Sequence, residues 1–357
     1  MKAGTIIPKQ KGSLEIMDMD IPEISENEVL VKVKMLGLDG TDKELGNGLY
    51  GEAPKGQGFL IPGHESIGTV EKVGSAVNGI SVGDTVVATV RRPDDCINCK
   101  SGASDMCIKG DYLERGIKGE NGYMAEYYKE KQEYLVKIPE SISEAAVMLE
   151  PLSIAEKAVK QVFEVQKRMV WQPKNAIVLG TGTVGLFAAM ILRLNGIDVV
   201  SVDRTENNPI KDNIYSKMGI THINSMDTPI EELPAKLGKR IDIAVELTGS
   251  PKAVASALNL PSINGVLCLL SVTGESYSEN IDIGEFNYNM VLGNKVVVGS
   301  VNSNISHFIK GVQDMASIES SNPGLLKSMI TRRIRLEDFS YDMLSDREQI
   351  KNVIVMG

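Results

Sequence analysis

The chain has 357 residues, a length that favours two domains because single hydrophobic cores rarely grow so large. Hydrophobic residues make up 42% and charged residues 24%, the balance typical of a globular protein, and the formal net charge is −9. No basic block occurs, which argues against nucleic acid or an anionic membrane as a partner. Residues 1–7 form too short an apolar stretch for a signal peptide, and no run is long enough to span a membrane, so we expect a cytoplasmic protein.

The first part of the chain, to about residue 150, reads as short strands separated by glycine and proline. Residues 29–35 and 67–73 alternate partly between apolar and polar side chains, as half-buried antiparallel strands do. A Gly-Asp turn at residues 83–84 opens a further strand. We expect an irregular β-barrel whose loops carry the chemistry.

A Gly-His-Glu run ends an apolar stretch at residues 59–65. The chain has only three histidines, and a His next to a carboxylate and a glycine suits a metal held at a loop. Asp39, His64, Glu65 and Glu150 together offer one nitrogen and three carboxylates, enough for a zinc ion that keeps a position for water or substrate. The alternative is that Asp39 and Glu150 only cap turns.

Three of the four cysteines cluster in a segment that we call the cysteine lobe (residues 94–107). Cys96, Cys99 and Cys107 have the spacing of structural zinc ligands, and clustered thiols in a reducing compartment indicate a metal rather than disulfides. A proline stands where a fourth cysteine is expected, so Asp94 or Asp95 would complete the site, or the lobe is a metal-free loop.

From about residue 150 the pattern changes to alternating helices and strands. Helices are predicted at residues 153–166, 184–195 and 251–260, and strands at residues 176–179, 198–202, 241–245, 265–270 and 295–299. This alternation predicts a doubly wound parallel sheet. A helical stretch follows residue 302, and residues 350–355 are expected to form a strand that completes the first domain. The expected domains are therefore residues 1–160, 170–302 and a return segment at 303–357.

A G-x-G-x-x-G motif at Gly180, Gly182 and Gly185 follows a predicted strand and opens a predicted helix. The glycines would let the backbone approach a pyrophosphate at the helix N-terminus. The alternative is a glycine-rich turn without a ligand. Asp203 ends the next predicted strand, where a carboxylate accepts hydrogen bonds from the adenosine ribose of a dinucleotide.

Seven segments together carry a family resemblance that covers essentially the whole chain: residues 37–42, 63–65, 91–93, 113–117, 134–139, 150–152 and 299–302. The chain resembles the zinc-dependent medium-chain dehydrogenase/reductase superfamily, and within it the archaeal-type glucose 1-dehydrogenases. The resemblance implies a GroES-like catalytic domain and a Rossmann nucleotide-binding domain, in a homodimer or homotetramer. It implies hydride transfer from C1 of an aldose, D-glucose or similar, to NAD(P)⁺ at a zinc site, with a lactone as product.

The resemblance also implies roles for single residues. Asp39 and His64 would bind the catalytic zinc, Glu65 would be a transient ligand, and Glu150 would bind directly or through water. Asp42 would orient His64 through its other ring nitrogen, and Thr41 would pass on the proton of the substrate hydroxyl. Glu114 and Asn302 would hold sugar hydroxyls, with Glu150 sharing that work. The implied cofactor contacts are Gly180, Thr181, Gly182, Thr183, Val184, Gly185, Asp203, Arg204, Leu270, Ser271, Val272, Ser300, Val301 and Asn302.

The nicotinamide cofactor is expected to be NAD⁺, with NADP⁺ as a second possibility. Relatives carry Arg or Asn around residues 203–205, which suits NADP, and Asp203 departs from that pattern. A fixed carboxylate repels a 2′-phosphate, while the neighbouring Arg204 can pair with one. Two other functions stay open: a polyol or secondary-alcohol dehydrogenase of the same superfamily, and a zinc-free nicotinamide-binding quinone reductase or structural protein.

Overall fold

A computed structural model describes residues 1–205, 208–273, 277–346 and 348–357. The chain forms two units, one made of Met1–Ser153 with Ser303–Gly357 and the other of Ile154–Asn302. Across the described ranges, no helix combines the length and the apolar character needed to cross a membrane.

The first unit begins with eight strands and two short helices. They are β1 (Lys2–Thr5), β2 (Glu15–Asp18), β3 (Glu28–Leu38), α1 (Gly40–Gly46), β4 (Glu65–Val73), β5 (Thr85–Ala88), β6 (Arg91–Arg92), α2 (Ile97–Lys100), β7 (Leu113–Arg115) and β8 (Gly119–Glu120). They are followed by β9 (Tyr127–Lys131), β10 (Leu135–Lys137) and α3 (Leu149–Val165), which crosses from the first unit into the second.

The second unit continues with β11 (Asn175–Leu179), α4 (Thr183–Leu194), β12 (Asp198–Asp203), α5 (Pro209–Met218), β13 (Thr221–Asn224), α6 (Leu233–Leu237), β14 (Ile243–Glu246), α7 (Pro251–Ala257), β15 (Val266–Leu269), α8 (Ile283–Leu292) and β16 (Val296–Gly299). The chain then returns to the first unit through α9 (Ile305–Ser321), α10 (Leu325–Ser328), β17 (Ile330–Arg335) and β18 (Lys351–Val355).

Strand β3 is central to the first unit. It lies in a seven-stranded sheet of order β10-β5-β4-β3-β18-β17, and β9 also pairs with it. The strand expected at residues 350–355 is β18, which pairs antiparallel with β3. Apolar and polar side chains of β3 alternate only over residues 31–34, and Val29, Val31 and Leu36 are buried in the core of this unit. A small separate sheet of order β6-β7-β8 carries the segment next to the cysteine lobe.

The second unit is a six-stranded parallel sheet of order β13-β12-β11-β14-β15-β16. The order reverses at β11, whose apolar residues 176–179 are almost fully buried, as expected for a central parallel strand. The predicted α/β class with a doubly wound sheet is confirmed. The helix predicted to begin at residue 153 begins at Leu149 instead. Pro151 is compatible with this earlier start because it lies in the first turn, where no backbone N–H is required.

Candidate metal and dinucleotide sites

His64 and Glu65 lie at the start of β4, directly after a glycine turn. Gly63 has a φ of +87°, a conformation that glycine adopts without steric cost. Strand β4 pairs with β3 in a register that places Glu65 opposite Gly37. A Cβ atom on Gly37 would lie 2.0 Å from Glu65 Oε2, so the glycine leaves the space that the carboxylate occupies.

Asp39 caps helix α1 and faces His64 at the same time. Its Oδ1 accepts hydrogen bonds from the backbone N–H groups of Thr41 and Asp42, at 2.8 and 3.2 Å. Its Oδ2 accepts from Thr41 Oγ1 at 3.2 Å and lies 3.7 Å from His64 Nε2. The capping interpretation is therefore correct for one oxygen, while the other is directed at the histidine ring.

Glu65 forms a buried ion pair with Lys351 of β18, and both side chains are 1% exposed. Its other oxygen, Oε1, has no hydrogen-bond partner among the described residues. No sequence pattern predicted a role for Lys351. Because an unpaired buried carboxylate is costly, this lysine explains how Glu65 is tolerated in the core.

Two candidate metal-binding groups of the first unit share His64. Asp39, Asp42 and His64 place their donor atoms within 4.8 Å of one another, and His64, Glu65 and Glu150 do the same. Burial raises the pKa of Asp42 to about 7 and that of Glu150 to about 8. Burial by itself lowers the pKa of His64, but the neighbouring carboxylates raise it well above its ordinary value. A crowded buried set of one imidazole and several carboxylates fits a divalent cation such as zinc, which would neutralise it.

Asp42 contributes to the cap of helix α1. Its Oδ2 accepts a hydrogen bond from the backbone N–H of Asp39 at 3.1 Å, which completes a capping box at the start of α1. The expected hydrogen bond between Asp42 and His64 is not formed, since Asp42 Oδ1 and His64 Nδ1 both lack a partner among the described residues. The capping box occupies Oδ2 of Asp42, which leaves Oδ1 as the oxygen available to His64 or a metal.

Glu114 lies on β7, opposite Arg91 of β6. The Nε and Nη2 groups of Arg91 both donate to Glu114 Oε1, at 3.1 and 2.8 Å. The arginine side chain is 6% exposed and the glutamate side chain 13%. Glu114 is thus held in place by a buried guanidinium, a contact that no sequence pattern predicted.

The cysteine lobe brings four donor groups together. Asp94, Cys96, Cys99 and Cys107 place their donor atoms within 4.8 Å of one another. The Sγ atoms of Cys96 and Cys107 are 3.9 Å apart, and two sulfurs of a tetrahedral zinc site are separated by about 3.8 Å. The geometry therefore fits a four-coordinate zinc ion.

Backbone groups support the lobe as well. The N–H of Cys99 donates to Cys96 Sγ at 3.4 Å, and the N–H of Gly110 donates to Cys107 Sγ at 3.3 Å. Of the two aspartates that the sequence left open, Asp95 forms an ion pair with Lys109 on the surface. Asp94 is consequently the carboxylate that completes the cluster.

The glycine motif of the second unit forms the turn between β11 and α4. Gly180 has a φ of +92° and its N–H donates to the carbonyl of Val202 at 2.8 Å. Gly182 is the N-cap of α4 and has open space where a side chain would project. A Cβ atom on Gly185 would lie 2.0 Å from the carbonyl oxygen of Gly180, so helix and turn pack closely there. The exposed helix N-terminus fits a pyrophosphate.

Asp203 ends β12, as expected, but protein groups already bind both of its oxygens. Lys211 donates to Oδ2 and the ring nitrogen of His222 contacts Oδ1, each at 2.8 Å. Thr205 contributes two further hydrogen bonds, at 2.9 and 2.8 Å, and Thr181 donates from its hydroxyl. Burial opposes the charge, but the hydrogen bonds from His222 and Lys211 hold the pKa of Asp203 well below its usual range.

The remaining predicted cofactor residues lie at or near strand ends of the second unit. Arg204 is exposed after β12, and Thr181 is buried because its side chain belongs to the Asp203 network. Ser271 donates to Glu246, and Ser300 has a buried hydroxyl without a partner among the described residues. The others, namely Thr183, Val184, Leu270, Val272, Val301 and Asn302, are partly or largely exposed, and Asn302 has a φ of +59°.

Two family models match the chain. The alcohol dehydrogenase GroES-like domain matches residues 25–140, and the glucose dehydrogenase C-terminus matches residues 143–356. The chain belongs to the glucose dehydrogenase family. The predicted resemblance to zinc-type medium-chain dehydrogenases is thereby confirmed, as is the predicted GroES-like domain.

Individual glucose dehydrogenases are similar over their full length. A glucose 1-dehydrogenase of Methanocella arvoryzae is 44% identical over 359 residues, covering 100% of both chains, and glucose 1-dehydrogenase 1 of Caldivirga maquilingensis is 38% identical over 99% of this chain and 98% of the relative. The solved glucose dehydrogenase of Haloferax mediterranei, in complex with NADP, Zn and gluconolactone, matches with a TM-score of 0.90 and 31% identity. The match covers 100% of this chain and 99% of the other.

Proposed function

We propose that this protein is an NAD(P)-dependent zinc-containing aldose dehydrogenase, which oxidises D-glucose or a similar aldose at C1 to the lactone. The observation that carries the proposal is the pair of donor groups that share the buried His64, one with Asp39 and Asp42 and the other with Glu65 and Glu150. They occur in a chain that aligns with a glucose 1-dehydrogenase over its full length. The reaction moves a hydride from C1 to NAD(P)⁺ and releases one proton.

The cluster suggests how the first unit contributes to the reaction. His64 and Asp39 would hold the zinc ion, with Glu65 and Glu150 as further oxygen donors. A bound zinc ion supplies Lewis acidity, which lowers the pKa of a substrate hydroxyl. The Thr41 hydroxyl, which donates to Asp39 Oδ2 at 3.2 Å, would accept and pass on the proton of that substrate hydroxyl. Lys351 holds Glu65 in position through their buried ion pair.

A substrate panel tests the proposal. Purified protein with zinc would be assayed with aldoses and with polyols and secondary alcohols, each with NAD⁺ and with NADP⁺, and the carbonyl product identified by mass spectrometry. We expect aldoses to give the highest kcat/KM and a lactone as product. A clear preference for polyols or secondary alcohols would favour the alternative dehydrogenase, and turnover without metal would favour a zinc-free reductase.

We expect Glu114→Ala to raise the KM for glucose by at least tenfold and to leave the zinc content unchanged. Glu114 would accept hydrogen bonds from sugar hydroxyls. Without it those hydroxyls lose their partner, and an unsatisfied polar group costs about 1–3 kcal/mol. Glu120→Ala is the matched control, since Glu120 lies on the adjacent strand β8, pairs with Arg115 at 3.4 Å and is 38% exposed. Loss of the catalytic zinc in Glu114→Ala would contradict this division of labour.

We propose that both NAD⁺ and NADP⁺ are used, with NAD⁺ at least as good. Asp203 remains the fixed carboxylate at the end of β12, but Lys211 and His222 contact it directly. Lys211 therefore offsets the negative charge that would repel a 2′-phosphate, and the exposed Arg204 adds a further positive charge.

Lys211→Met should accordingly reduce kcat/KM for NADP⁺ more than for NAD⁺, by about fivefold or more in the ratio, because an uncompensated Asp203 repels the phosphate by on the order of 1 kcal/mol or more. Lys217→Met is the matched control, since Lys217 lies on the same helix but is exposed. Equal losses with the two cofactors would show that Lys211 has only a structural role.

We propose a homodimer or homotetramer in the cytoplasm. Strand β16 is an edge of the parallel sheet, and of the described strands only β15 pairs with it. The adjacent helix α8 exposes Ile283, Tyr288, Val291 and Leu292 at 71, 65, 64 and 62%. An open strand edge next to such an apolar surface fits a second copy of the same chain.

Sedimentation analysis should show at least a dimer, and Val291→Glu should weaken that association. A monomeric unmodified protein would contradict the proposal.

A further inference from the structure

Arg91 links the predicted sugar-binding residue to the cysteine lobe. Its Nε and Nη2 groups donate to Glu114, and its Nη1 group donates to the carbonyl oxygens of Ser104 and Asp105, at 3.4 and 3.3 Å. Both carbonyls belong to a short 3₁₀ turn, Ser104–Met106, inside the lobe. One buried guanidinium thus contacts both the predicted sugar-binding residue and the cysteine lobe.

The turn that Arg91 contacts lies between two of the four clustered donor groups. Cys99 precedes it by five positions and Cys107 follows it directly. The turn is held to the start of the lobe by Asn98, which donates to the carbonyl of Met106 at 2.6 Å. A metal bound to both cysteines would therefore fix both ends of the segment whose carbonyl oxygens hold Arg91.

The guanidinium has little freedom to adapt if the turn moves. Arg91 is 7% exposed, and its Cζ atom lies 3.7 Å from the centroid of the Tyr112 ring. The N–H groups of a guanidinium point in fixed directions within one plane, so stacking on the ring fixes the positions in which its acceptors must lie. A displacement of the Ser104 and Asp105 carbonyls would consequently be transmitted to the Glu114 carboxylate.

We propose that metal binding in the cysteine lobe sets the affinity for the sugar, and that Arg91 is the positioning residue that couples the two sites. The inference rests on the proposed function, in which Glu114 binds aldose hydroxyls. The lobe metal would order the turn, the turn would hold Arg91, and Arg91 would present Glu114 to the substrate. Loss of the lobe metal would weaken sugar binding without removing the catalytic zinc.

The first test is Asp94→Asn, assayed for metal content, glucose KM, kcat and lactone binding. We expect the loss of one zinc per chain and a five- to tenfold higher glucose KM. The lactone Kd, measured by calorimetry, should rise by the same factor, while kcat should change by less than twofold. Asp95→Asn is the matched control, because Asp95 is the neighbouring carboxylate and pairs only with Lys109 on the surface among the described residues. It should keep both metal content and KM.

The second test asks whether Arg91 carries the effect. Arg91→Lys should raise the glucose KM at least tenfold while the lobe keeps its zinc. In the Arg91→Lys background, Asp94→Asn should raise KM by less than twofold further, because the connection is already broken. Additive effects of the two substitutions would overturn the proposal, as would loss of the lobe zinc in Asp94→Asn without any change of KM or lactone Kd.

A third variant covers the case in which Asp94→Asn does not fold. Asp94→Cys would complete a set of four thiolates and should hold the metal more tightly. The protein would be treated with increasing chelator concentrations. In this variant, both the loss of the lobe zinc and the rise in lactone Kd should require a higher chelator concentration than in the unmodified protein. If the unmodified protein oxidises no aldose, the proposed function fails and this inference with it. If it oxidises glucose but neither KM nor lactone Kd follows lobe zinc, only this inference fails.

Discussion

His64→Ala is expected to lower kcat for aldose oxidation by at least about 10³-fold, while NAD(P) still binds. His64 contributes the nitrogen donor that the Asp39–Asp42 group and the Glu65–Glu150 group of the proposed catalytic site share. Without it, the remaining donors are carboxylates, which bind zinc less selectively than a site with imidazole. The dinucleotide motif lies in the second unit, so nucleotide binding does not depend on this side chain.

The measurements are kcat, zinc per chain and cofactor binding by fluorescence titration. His307→Gln is the matched control, because His307 is another buried histidine of the first unit but belongs to the capping box of α9. We expect that control to retain the catalytic zinc and most of its activity. Full turnover by a zinc-free His64→Ala protein would refute the assignment of the metal site.

Lys351→Met is expected to destabilise the protein by about 3–5 kcal/mol, the largest stability change that we predict for a single polar side chain. Lys351 and Glu65 are each 1% exposed, and the substitution leaves the Glu65 carboxylate buried without its ion-pair partner. The free energy of unfolding should be measured with metal-stripped protein, because a bound cation would compensate the charge and stabilise the folded state.

Lys129→Met is the matched comparison for that measurement. Lys129 pairs with Glu28 at 3.4 Å and its side chain is 44% exposed, so its loss should cost less than about 1 kcal/mol. Adding Glu65→Gln to Lys351→Met should recover part of the lost stability, because it removes the unpaired charge. Equal stability of Lys351→Met and the unmodified protein would show that Glu65 is not held as an anion by this lysine.

The features that depend on short stretches of chain could be predicted from the sequence. The alternation of strands and helices, the glycine motif between β11 and α4, and the adjacent His64 and Glu65 are local patterns with local physical causes. A buried parallel strand needs a continuous apolar run, and a turn with φ of +92° needs a residue such as Gly180. The resemblance to glucose dehydrogenases added the expected roles of Thr41 and Glu114, which no spacing rule supplies.

The partners of the long charged side chains were decided only by the tertiary structure. Lys351 reaches Glu65, Arg91 joins Glu114 to the cysteine lobe, and Lys211 neutralises Asp203. Periodicity showed that these residues lie in or near particular elements, but it carries no information about which strand or loop packs against them. That choice follows from sheet register and burial: a charge removed from water must find an opposite charge within reach, and only the folded chain determines which one is there.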